Sequence, residues 1–242
     1  MTEQRSSEVR IELLGSFRCT VEGGAVPLAP LTQKLVAFVA LHRSMTRFAL
    51  QQSLWPEMDR LYAGKRLSQA LWRVRSATGE TVLRVTEHQV ELRQGVDVDF
   101  AVGIHLAEQV ARAQTDKSSL AGVADVTTVN WECLGRELLP GWDSVEIEQA
   151  RARWDITRGI ALQRLARAYL ALGDPLVALD LALRATHIDP FNERSHQVLA
   201  EAHLALGDTV RAGQVYAQYS ELLRLEVGRR PSAEFRRAVL AE

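Results

Sequence analysis

The pentapeptide Leu-Ala-Leu-Gly-Asp occurs twice, from Leu170 to Asp174 and from Leu204 to Asp208, setting Gly173 and Gly207 34 positions apart. A period of that length constrains the fold more than any other feature. It must hold one supersecondary unit that buries its apolar side against its neighbour. Each unit reads as an apolar helix, a Gly-Asp turn and a second helix: Ala161 to Leu172 with Pro175 to His187, then Glu193 to Leu206 with Thr209 to Leu225. Gly173 suits the left-handed position after a helix, Asp174 can cap the next one, and Pro175 fits its first turn. Ala166, Ala178 and Ala185, followed one period later by Ala200 and Ala212, are small residues where paired helices approach closely.

This spacing resembles the tetratricopeptide repeat. The first unit keeps Leu165, Tyr169, Ala178 and Pro190 at the repeat's positions, whereas the second has His203 at the tyrosine position and Arg224 at the proline position, as a terminal unit would. Such arrays carry no chemistry; they present a concave surface to a peptide or protein.

A chain of 242 residues with 47% hydrophobic and 24% charged side chains lies outside the compositional range of disorder and has room for two domains. The start, MTEQRSSEVR, has no signal-peptide core, and apolar runs such as Leu35 to Leu41 are too short to span a bilayer, so a cytoplasmic protein with no membrane partner is expected. Cys19 and Cys133 lie far apart and outside any metal or redox spacing, and read as small buried thiols. His196 and His203 lie seven apart on one helix face but lack a third ligand. Gly23-Gly24 is followed by no Gly-Lys-Ser/Thr and reads as a hairpin turn rather than a phosphate loop. No nucleophile motif appears, so neither catalysis, a metal nor a cofactor is expected.

The first hundred residues have a different grammar. Val9 to Leu13 and Phe17 to Val21 alternate apolar and polar residues, and Glu22-Gly23-Gly24 turns the chain toward Val26-Pro27-Leu28, which predicts short antiparallel strands. From Thr32 a helical period takes over, with Leu35, Val36, Val39 and Leu31 on one face, ending near His42 to Ser44. A short second helix follows, capped by Thr46, with Phe48, Leu50 and Leu54 expected inward and Trp55-Pro56 as its stop. Glu57, Met58, Asp59, Arg60 and Leu61 read as a loop.

Lys65 to Ala77 is the helix that matters most. Leu67, Ala70, Leu71 and Val74 form the buried stripe. At about 100° per residue, Lys65, Gln69, Trp72 and Ser76 face the opposite way, with Arg66 and Arg73 along one edge and Arg75 nearer the other. Between Arg60 and Arg84 six basic residues stand against the single acid Glu80, a local excess of +5 in a chain of net charge −1. Such a patch is either an ordinary solvated face or the electrostatic footprint of phosphate binding. Arg can donate twice to a guanine edge, Gln can pair with adenine, and a helix of this size fits the major groove. Trp72 either packs on a neighbouring element or meets a base or sugar. Val82 to Val85 and Val90 to Arg93 then read as a closing hairpin, from which Arg84, His88 and Gln89 could reach the flanking backbone or minor groove.

Strands, three helices and a hairpin in this order resemble the winged helix-turn-helix of response-regulator effector domains. Followed by helical repeats, the chain resembles the SARP family of actinomycete antibiotic regulatory proteins, whose second half is a bacterial transcriptional activation domain. The motifs behind this are Leu54-Trp55-Pro56, RLSQALWRVRSATG from Arg66 to Gly79, LLPGW from Leu138 to Trp142, and LLRLEVGRRPSAEFRRAV from Leu222 to Val239. The resemblance implies an α+β winged helix-turn-helix DNA-binding domain over residues 1–97, followed by an all-α, tetratricopeptide-like activation domain over residues 98–242. It implies DNA contacts from Lys65, Gln69, Trp72, Arg73 and Ser76 with Arg66 and Arg84 near the backbone, and a polymerase-contacting loop from Glu57 to Leu61. Its implied partners are double-stranded promoter DNA, a second copy of the chain paired on direct repeats, and RNA polymerase holoenzyme through its sigma or alpha subunit, at promoters of specialised-metabolite (antibiotic) gene clusters. Trp72 stands where many members carry a small polar residue. No receiver domain precedes the winged helix, and the ATPase modules of larger relatives do not follow, so the short, one-component form is expected. The competing reading is a tetratricopeptide interaction scaffold without sequence-specific DNA binding.

Overall fold

The computed structural model of the chain describes residues 9–112 and 131–240. The chain divides into two compact units, Met1–Gly103 with Arg136–Ala152, and Ile104–Gly135 with Arg153–Glu242. The sequence suggests a boundary near residue 97, and of the residues after it Arg136–Ala152 group with the first compact unit.

In the first unit, β1 (Val9–Glu12) lies between β2 (Arg18–Val21) and β7 (Val96–Val98), and β3 (Gly24–Ala25) closes the sheet beyond β2. The β1–β2 pair is antiparallel with Ile11 opposite Cys19, while β1 and β7 run parallel with Ile11 opposite Val98. Alternation buries Val9 and Ile11 and leaves Arg10 exposed, as period-two patterning requires. Asp99 follows β7 and accepts from the Leu13 and Leu14 amides at 2.7 and 3.1 Å, satisfying backbone donors where β1 ends.

Three helices and a second sheet complete the unit: α1 (Pro30–His42), α2 (Arg47–Leu54) and α3 (Arg60–Thr78), with β4 (Ser44–Thr46), β5 (Leu83–Val85) and β6 (Gln89–Leu92) in the order β4-β6-β5. Both α1 and α2 pack on α3. The expected stripe Leu67, Ala70, Leu71 and Val74 is buried, together with Ala63. Arg136–Ala152 belongs to this unit through a few specific bonds: Gly15 donates to the Glu137 carbonyl at 2.7 Å, Leu139 to the Leu13 carbonyl at 3.0 Å. Trp142 stacks on Phe17 with centroids 5.9 Å apart. Arg151 donates to the carbonyls of Leu138, Leu139 and Trp142, so the LLPGW segment is held by a guanidinium that satisfies its turning backbone.

Helix α4 (Asp99–Arg112) precedes a short 3-10 turn at Glu132–Gly135, and then α5 (Val145–Ala171), α6 (Pro175–Ile188), α7 (Glu193–Ala205), α8 (Thr209–Glu226) and α9 (Ala233–Leu240). Gly173 and Gly207 adopt φ of +80° and +78°, and Asp174 and Asp208 cap the helices that follow. Ala166, Ala178, Ala185, Ala200 and Ala212 are all buried. α6 packs on α7, α7 on α8, and α9 covers both α7 and α8, with Phe235 buried edge-on to Tyr216. His203, at the tyrosine position of the second unit, is buried with them.

Two expectations differ from the structure, the start of α5 and the burial of Cys133. α5 begins at Val145, not Ala161, because its inner stripe includes Arg151 and Arg158, which break the apolar period yet bond carbonyls. Strands β4 and β7, three residues each, lie outside the strands that the sequence suggests. Cys19 is buried, and burial pushes its thiol up to about 11, but Cys133 is only half-buried. Among the described residues, no helix is long and apolar enough to cross a membrane, and no His, Cys, Asp and Glu cluster could hold a metal ion.

Candidate nucleic-acid interface

Helix α3 starts five residues before the predicted Lys65. Asp59 makes the difference: its carboxylate accepts from the Leu61 amide at 2.8 Å and the Tyr62 amide at 3.4 Å, capping two donors that would otherwise need water. Arg60 and Leu61 therefore lie in the first helical turn, and only Glu57, Met58 and Asp59 of the expected loop precede it. At the other end Gly79 takes the left-handed cap at φ +60°.

With the inner stripe buried, Lys65, Arg66, Gln69, Trp72, Arg73 and Ser76 are all exposed on one helix. Of the two alternatives for Trp72, packing on a neighbour is not what occurs: its side chain is 68% exposed. Arg75 is paired with Glu80, which removes it from the free cations. Arg66 and Arg73 form no ion pair among the described residues.

The hairpin supplies the second surface. Arg84 and Glu91 are cross-strand partners, their charges 3.6 Å apart, with Arg84 mostly in solvent. The turn is closed by Thr86, whose hydroxyl accepts from the Gln89 amide at 3.0 Å and whose amide donates to the Gln89 carbonyl at 2.9 Å, leaving the His88 and Gln89 side chains exposed at the tip.

Sequence reasoning missed Arg47. Its backbone amide donates to the His88 carbonyl at 2.9 Å, and its guanidinium donates to the Ser68 hydroxyl at 2.9 Å, which in turn donates to the Gly64 carbonyl at 3.0 Å. Arg47 thus joins the start of α2, the outward side of α3 and the hairpin tip. β4 makes this possible, because pairing Thr46 with Gln89 brings the start of α2 to the hairpin. A signal was available: a cation in the first turn of a helix opposes the helix dipole, and such a local conflict marks a position kept for another purpose.

Phe48 does not point inward as expected; it is 52% exposed, and Arg60 lies over its ring at 5.3 Å. Leu50, Gln51 and Leu54 fill the inner side of α2. Arg60, over the exposed Phe48 ring, and Lys65, 6.0 Å over the exposed Tyr62 ring, line a groove of about 780 Å³ together with Gln51, Asp59, Leu61, Gly64, Ser68 and Gln69.

The model of the bacterial transcriptional activator domain family matches residues 98–240. The chain belongs to that family. The solved structure of Mycobacterium tuberculosis EmbR in complex with a low-affinity phosphopeptide has the same fold, with a TM-score of 0.70 at 18% identity over 97% of this chain. The chain spans 66% of that protein's length. No curated sequence matches it significantly. A β-rich, winged-helix first part followed by the all-helical activator domain is the architecture of a SARP-type regulator.

Proposed function

We propose that the chain is a sequence-specific DNA-binding transcriptional activator. The observation that carries this reading is the outward side of α3, where Lys65, Arg66, Gln69, Trp72, Arg73 and Ser76 stand exposed beside a hairpin whose tip is tied to Arg47. Lys65, Ser76, Arg66 and Arg47 hold phosphates; Gln69 and Arg73 discriminate bases in the major groove; Arg84, His88 and Gln89 grip the flank. Two copies pair on direct repeats. RNA polymerase holoenzyme, through sigma or alpha, meets Glu57, Met58 and Asp59 and the first-turn residues Arg60 and Leu61, whose groove offers both cations and apolar surface. The genes served are those of specialised-metabolite clusters.

Selection from a randomised duplex library, followed by strand protection on the enriched sequence, tests the reading. A repeated half-site protected by the full chain, and lost from the Gln69→Ala, Arg73→Ala double variant, is expected. Weak, sequence-blind retardation would instead indicate an interaction scaffold.

A further inference from the structure

We infer that Trp72 is a specificity-determining residue that reads the 5-methyl group of a thymine in the major groove. The inference rests on the DNA-binding reading of α3 and deepens it. Trp72 lies at the middle of the outward stripe, with Ser68 and Gln69 one turn before it, Ser76 one turn after it and Arg73 adjoining. Its indole is 68% exposed, and no ring or cation among the described residues is seated on it. The other exposed aromatics near α3 each have a cation over one face, Arg60 on Phe48 and Lys65 on Tyr62. Trp72 offers an apolar face, with no cation over it among the described residues, between polar neighbours.

The chemistry of the two surfaces narrows the ligand. Indole has one N–H donor, no acceptor and a large apolar face, so it cannot accept from the amino groups of adenine or cytosine. The floor of the major groove offers acceptors, donors and one apolar group, the thymine methyl. An indole held over that floor gains most where it removes a methyl from water, while its N–H remains available to a purine N7. Stacking on a base would require the duplex to unstack, which proteins achieve with wedges in the minor groove rather than from a helix in the major groove. The residues on either side can read hydrogen-bonding edges. Trp72 adds what they lack, a preference for thymine over cytosine without a hydrogen bond.

The test uses the full chain and the duplex enriched by selection. Each thymine of one half-site is replaced singly by deoxyuridine, which keeps the pairing edge and removes only the methyl. At one position the wild-type Kd should rise about fourfold, the worth of one buried carbon, and Trp72→Ala should bind the two duplexes equally. A Trp72→Leu variant, apolar but shorter, should retain part of the difference. The exposed position makes these substitutions harmless to folding, which unchanged thermal unfolding verifies. A flat deoxyuridine response in the wild type, a half-site without thymine, or an undiminished penalty in Trp72→Ala overturns the inference while leaving DNA binding intact. Failure to enrich any sequence overturns both.

Discussion

Arg73 and Arg66 are both exposed arginines on α3, seven positions apart, and they should respond differently to removal. A side chain that donates twice to a guanine edge distinguishes that base from the other three, whereas one that meets phosphate cannot. Arg73→Ala is expected to cost roughly 1–3 kcal/mol on the selected site and to flatten discrimination at one base pair. Arg66→Ala should weaken all duplexes by a common factor. Competition with the set of single-base variants of the site separates the two patterns; a uniform loss in Arg73→Ala would move Arg73 to the backbone. Gln69 belongs with Arg73, and Arg84, partly neutralised by Glu91 at 3.6 Å, with the weaker contacts.

At the scale of elements, α5 shows why a legible fold had an illegible boundary. The 34-residue repeat, the Gly-Asp caps and the alanine contacts stand in the sequence as residue types, and so does the stripe of α3. The first half of α5 does not, since Arg158 sits where an apolar residue would mark the helix. Arg158 is 7% exposed, and its guanidinium donates to Asp155 at 2.7 Å and to the Leu134 carbonyl at 3.2 Å. Arg158→Leu would restore the apolar period yet strand that carbonyl, and is expected to destabilise the helical unit by about 1–3 kcal/mol; calorimetry showing equal or greater stability would refute the role. Arg47 was hidden for a similar reason, because what matters about it is a three-residue strand pairing. In the α7–α8 pair, His196 stacks on Tyr219 with centroids 4.4 Å apart and bonds the Pro190 carbonyl at 2.9 Å. Burial holds its imidazole below 6.5, against smaller upward pulls from that carbonyl and from Asp189. The native state thus binds fewer protons than the unfolded chain, so the contribution of this group is whole above pH 6.5 and is lost as the pH falls through the lower native value. His196→Phe, which keeps the ring contact without the titration, should lose less unfolding temperature than the wild type between about pH 7.5 and about pH 5.5. Parallel losses would show that other groups carry the acid sensitivity.

For the whole molecule, net charge is a poor guide to what it binds. A chain of net −1 should ignore a polyanion, and from Ala101 onward it carries 16 basic against 19 acidic residues. Attraction to DNA must therefore come from where charge is placed. The +5 stretch from Arg60 to Arg84 and the neighbouring Arg47 lie in the first unit, and ion pairing to Glu80 and Glu91 leaves Arg47, Arg60, Lys65, Arg66 and Arg73 without an ion pair among the described residues. If about four phosphates are met on a duplex carrying one half-site, by Arg47, Lys65, Arg66 and the flanking Arg84, the logarithm of the binding constant should fall with the logarithm of salt at a slope of about −3.6. Raising salt from about 50 to about 200 mM then weakens binding roughly a hundredfold. Arg47→Ala should make the slope shallower by about 0.9, as loss of one released counterion requires. Arg211→Ala, which removes an equal charge from the helical unit, should leave the slope unchanged. Equal changes in both variants would mean that the molecule is held by its total charge, and that the face of α3 directs nothing.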